Sequence, residues 1–86
     1  MKYRKKPVEI EAWEIGQLLS SAASYRPAVI QKAERDGVLV FTKDKVEIAT
    51  LEGDVIGKSG EMLLMGVKGE FYPCKLNIFT MTYNVV

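Results

Sequence analysis

Near the start of the chain, Val8, Ile10 and Ala12 alternate with Glu9, Glu11 and Trp13, the two-residue period of a strand with one face buried. The pattern predicts a first strand over about 6–14. Trp13 and Ile15 then carry the apolar side chains on the opposite parity. Either the strand bulges near Ala12 or its end is covered on both faces. Gly16 interrupts the alternation, and the segment QLLSSAAS after it predicts one or two helical turns. Pro27 suits the first turn of a helix. Ala28, Val29, Ile30 and Ala33 make an apolar stripe, and Gly37 can supply a left-handed cap, so a helix is expected over 27–36.

Beyond Gly37 the apolar segments shorten and are separated by turn-like pairs: VLVFT, KVEIATL, EGDVIGKSGE, MLLMGV and EFYPC, with turns at Asp44, Ser59-Gly60 and Lys68-Gly69. This is the pattern of an antiparallel meander. Asn77 is placed to cap a short helical turn through Ile78 and Phe79, and TYNVV has the composition of a final strand. The expected fold is α+β: a small, mainly antiparallel sheet of about five or six strands, one helix near 27–36 and a short C-terminal helical turn. With no internal repeat, linker or low-complexity tract, residues 1–86 read as a single domain.

Composition narrows the function classes. Twelve Lys and Arg against eleven Asp and Glu give a net charge of +1, far from the balance of a protein that coats DNA. The charge is unevenly spread, however, with Lys2, Arg4, Lys5 and Lys6 in the first six residues. This cluster either meets phosphates or keeps an edge strand soluble, and the second reading is preferred. No stretch approaches the roughly 20 apolar residues of a membrane span, so no membrane association is expected. The basic start runs into glutamates where a signal peptide would need an apolar core, and the single cysteine, Cys74, forms no internal disulfide. A reducing, cytoplasmic setting is expected.

The chain contains no histidine, the usual proton carrier near neutral pH and the commonest transition-metal ligand. It has no G-x-S-x-G elbow, no phosphate-binding GxxxxGK[ST] loop and no Cys/His pair. The expectation is therefore a protein that is not an enzyme, with no metal and no cofactor. Glu9, Glu11 and Glu14 fit a solvated strand face, and the glycines of the C-terminal half fit turns and bulges. Cys74, between Pro73 and Lys75, fits a small structural residue. Trp13, Phe71 and Phe79 are expected in the core, while Tyr72 and Tyr83 divide between packing and contact with a ligand.

The two ends of the chain, MKYRKKPVEIEAW and TLEGDVIGKSGEMLLMGVKGEFYPCKLNIFTMTY, resemble a family of small phage and prophage proteins with the start KYRKKPVxIEA and the ending GVKGEFYPCKPDIFxxTY. The likeness is most specific at GVKGEFYPCK, residues 66–75. Leu76 and Asn77 stand where the family has Pro-Asp, and Ser59-Gly60-Glu61-Met62 replaces its usual turn. The resemblance implies a protein working in the cytoplasm of a host bacterium and carries no activity with it.

The leading expectation is a phage-encoded, non-catalytic binding protein that acts as a homo-oligomer, sequestering an anionic, nucleotide-like signalling molecule to counter host defence. Its candidate ligand contacts are Arg4, Lys6, Lys68, Tyr72, Lys75 and Tyr83. The alternative is a protein-interaction module that inhibits a host or phage protein through a strand edge or an aromatic patch. Single-stranded nucleic-acid binding through the basic start and the aromatic rings comes third.

Overall fold

The computed structural model describes residues 1–2 and 9–83. In chain order its elements are β1 (Glu11–Glu14), α1 (Ile15–Ser20), a 3-10 turn (Ala23–Tyr25), α2 (Ala28–Arg35), β2 (Leu39–Phe41), β3 (Lys45–Thr50), β4 (Gly53–Lys58), β5 (Glu61–Met65), β6 (Phe71–Lys75) and α3 (Leu76–Thr82). The α+β class is as expected. The strands form two antiparallel three-stranded sheets, β1-β5-β6 and β2-β3-β4.

The meander holds from β2 to β4 and then breaks. At Ser59-Gly60 the chain leaves one sheet and begins the other, where β5 takes β1 on one side and β6 on the other. Gly57 shows how closely the two sheets meet. A Cβ placed there would lie 2.7 Å from Ile15 Cδ1, 3.1 Å from Val46 Cγ1 and 3.4 Å from Pro73 Cβ. Only a residue without a side chain lets β4 sit against β6 and α1 at once.

Apolar side chains from both sheets and two helices share one core: Ile15 and Leu18 of α1, Ile30 and Ala33 of α2, Leu39, Val46, Ile48, Leu63 and Phe71. No polar or charged residue is buried among the described residues. The stripe expected on α2 is narrower than the sequence suggests, because Ala28 and Val29 face solvent and only Ile30 and Ala33 are enclosed. The helix ends as expected at Gly37, whose φ is 76°. Val38 N–H donates to Ala33 O at 2.9 Å and Gly37 N–H to Glu34 O at 3.1 Å, the paired bonds of a Schellman cap.

Three local expectations are corrected. First, β1 is shorter than 6–14. Residues 6–8 lie outside the described residues, Glu9 and Ile10 precede the strand, and the pairing runs unbroken from Glu11↔Met65 to Glu14↔Met62 with no bulge. The change of parity at Ile15 marks the start of α1, so Gly16 sits inside a helix. There its missing Cβ leaves room for Ser59, whose Oγ and O would lie 3.0 and 3.1 Å from such an atom. Second, α3 begins one residue before Asn77, with Lys75 in the cap position and no side-chain capping bond. Third, Thr82 ends α3 and Tyr83 follows it, so these residues form no strand. Residues 84–86 of the expected TYNVV strand lie outside the described residues.

Arg26 fastens the helical side of the molecule. Its Nε donates to Leu18 O at 2.8 Å, its Nη1 donates to Glu34 Oε1 at 2.8 Å, and its guanidinium lies 4.1 Å above the centre of the Phe41 ring. One side chain thus ties the end of α1 to α2 and β2.

Candidate functional site

The β5–β6 hairpin is closed by Gly66 N–H donating to Glu70 O at 2.8 Å and Gly69 N–H donating to Gly66 O at 2.9 Å. Gly69 has φ of 80°, which permits the tight reversal. Past the turn, Phe71 enters the core and the two-residue period turns Tyr72 to the opposite face. The register Ala12↔Leu64↔Tyr72 and Glu14↔Met62↔Cys74 puts those six residues on the outer face of the first sheet. Trp13, Leu63, Met65 and Phe71 face the shared core, where the Trp13 and Phe71 rings lie 6.3 Å apart.

That outer face is not left to solvent. Leu64 and Met62 are buried outside the shared core, beneath α3, which turns back over β5 and β6. Half-buried Phe79 and Tyr83 stack with centroids 5.3 Å apart, and Tyr83 lies near the Tyr72 hydroxyl. Burial first, then Tyr83, and then the nearby Glu70 and Cys74 push the Tyr72 hydroxyl up from 10 to about 12. Cys74 is half-buried on the same face and contacts Lys75 O at 3.6 Å.

Of the six candidate contacts, Tyr72 and Tyr83 are brought together. Lys68 is exposed at the hairpin tip and Lys75 is exposed at the far end of β6. The five residues of β6, Phe71–Lys75, at about 3.3 Å each, carry Lys75 roughly 16 Å from the turn that holds Lys68, more than one small anion bridges. Arg4 and Lys6 lie outside the described residues. The two best-formed grooves have volumes of about 220 and 180 Å³, below the range of roughly 300–1,000 Å³ usual for small-molecule pockets. One is lined by Ala23, Ser24, Gln31, Glu34 and Arg35, the other by Glu14, Ser59, Gly60, Glu61, Met62 and Leu76. None of the four described candidate contacts lines either groove, and the second carries two carboxylates. No group of three or more acidic or cysteine side chains that could hold a metal occurs among the described residues. No helix among them is long and apolar enough to cross a membrane.

The sequence motifs do not mark the outer side of α3. Ile78 and Met81 on that side are 52 and 85% exposed, Leu76 on the side towards the sheet is 50% exposed, and the helix buries no residue. The signal was present in the sequence as a run, 76–83, with no charged side chain in a chain that is 27% charged. No family model, curated protein or solved structure matches the chain.

Proposed function

We propose that the chain is a non-catalytic protein-interaction module whose contact surface is the outer side of α3. The observation that carries this reading is the exposure of Ile78 and Met81 on a helix that has no charged side chain and stacks its own Phe79 on Tyr83. Exposed apolar area of this kind, concentrated on one element, marks a surface that is covered in use. The likeness of the chain ends to small phage and prophage proteins supports a bacterial cytoplasm as the place where it acts.

Sequestration of a nucleotide-like anion is the weaker reading, since Lys68 and Lys75 stand at opposite ends of β6 and the acidic groove would repel the ligand. Single-stranded nucleic acid has less to stack on, because Phe79 and Tyr83 are stacked on each other. The test is capture from bacterial lysate that also contains a differently tagged copy of the chain. Bait carrying Met81→Asp is expected to lose the proteins held by the wild type, whereas bait carrying Val40→Asp, on the other sheet, keeps them. Equal capture by the wild type and Met81→Asp would remove α3 as the contact surface.

A further inference from the structure

We infer that the outer stripe of α3 is a self-pairing surface, on which two copies of the chain bury Ile78 of each against Met81 of the other across a two-fold axis. The inference rests on the reading of α3 as the contact surface and names what covers it.

At about 100° per residue, Leu76, Phe79 and Tyr83 fall on one side of the helix and Ile78 and Met81 on the opposite side. Phe79 and Tyr83 pack inward, towards Tyr72. The helix is therefore apolar on both sides, the pattern of a helix enclosed all round. In the single chain, Ile78 and Met81 remain 52 and 85% exposed.

The outer stripe is also easy to bury. With no charge from 76 to 83, two copies meet without like-charge repulsion and without stripping water from an ion. A partner presenting charges would find nothing to pair with. Thr80 Oγ1 already donates to Asn77 O at 3.0 Å and Thr82 Oγ1 to Ile78 O at 2.8 Å, so these hydroxyls keep their bonds when water leaves. An antiparallel two-fold arrangement makes the Ile78–Met81 contact twice, setting a stiff branched side chain against an adaptable thioether.

Size fixes the strength. Ile78 and Met81 expose on the order of 300 Å² of surface. Two such patches give little more than a third of the roughly 1,600 Å² of a standard interface. The dimer is therefore weak and reversible, filling as concentration rises.

Sedimentation velocity of the full chain tests this. The wild type is expected to move from 9.6 kDa towards twice that mass as concentration increases. A chain carrying Ile78→Lys with Met81→Lys, and one carrying Ile78→Glu with Met81→Glu, should each raise the dimer dissociation constant at least about tenfold. Mixing the two should restore dimers. Circular dichroism checks that each is folded, and if a double variant is not, Met81→Lys alone at the 85% exposed position supplies the reading.

A wild type that stays monomeric at every concentration, a dimer indifferent to Met81→Lys, or charged chains that fail to pair on mixing would each overturn the inference. A monomeric wild type that still captures another protein through α3 overturns self-pairing and leaves the interaction reading standing. A monomer without α3-dependent capture overturns both.

Discussion

At the scale of single residues, Gly57 and Arg26 hold the architecture in opposite ways, one by what it lacks and one by what it reaches. Gly57→Ala would drive a methyl to 2.7 Å from Ile15 Cδ1, and because Ile15 is fully buried the core must shift to admit it. A loss of about 1–3 kcal/mol is expected in urea unfolding, as for other overpacked sites. Ile15→Val removes the clashing carbon, so the double variant should be less destabilised than the sum of the two single changes. Arg26→Lys keeps the charge but cannot serve Leu18 O, Glu34 and the Phe41 ring together, and a loss of roughly 1–3 kcal/mol should appear in the same measurement. Tyr72 offers a spectroscopic check. Its hydroxyl should ionise near pH 12, and Tyr83→Phe should bring that midpoint down, followed by ultraviolet titration. Because the folded-state value lies above the unfolded value of 10, the folded state holds the proton more tightly. This group costs nothing in stability below pH 10 and lowers stability as pH rises from 10 towards 12.

At the scale of elements, α2 was the most legible, because Pro27 and Gly37 bracket it through backbone chemistry that needs no tertiary partner. Gly37→Ala places a Cβ at φ of 76° and should lower stability by about 1 kcal/mol, again read by denaturant unfolding. The strands from β2 to β6 were legible as segments from their turn residues. Their division into two sheets was not, because Ser59-Gly60 looks the same whether the next strand joins the old sheet or starts a new one. MLLM carries no alternation since both faces of β5 are covered, by the core on one side and α3 on the other. In TYNVV the β-forming Thr82 suggested a strand, while Thr82 closes α3 with its hydroxyl donating to Ile78 O. A helix of seven residues without a side-chain cap is marginal by itself. Its amides should exchange with solvent faster than those of β5, measured by hydrogen exchange.

At the scale of the whole molecule, the described chain is elongated, 47 × 24 × 21 Å, with a radius of gyration of 13.5 Å against roughly 12 Å for a compact chain of this length. An elongated shape leaves one small core serving both sheets, so Leu63 in one and Ile48 in the other should fail together. Leu63→Ala and Ile48→Ala are each expected to cost about 2–5 kcal/mol and to keep a single unfolding transition. Two separate transitions would show that the sheets fold apart. The candidate site was less legible than the fold. The sequence pointed to GVKGEFYPCK and to Tyr72 within it. It could not show that Lys68 and Lys75 lie at opposite ends of one strand, or that Tyr72 is turned under a helix.

No residue separates β6 from α3, since Lys75 ends the strand and also occupies the cap position of the helix. A load applied to α3 is therefore delivered straight to the end of β6, which among the described residues is hydrogen-bonded along one side only, to β5. Pulled from there, the rungs open one after another, from Lys75↔Glu61 to Phe71↔Met65, like a zipper rather than in shear. Whatever grips α3 thus holds the mechanical handle of the hairpin, and tension at that helix should peel β6 away at low force while the β2-β3-β4 sheet stays closed.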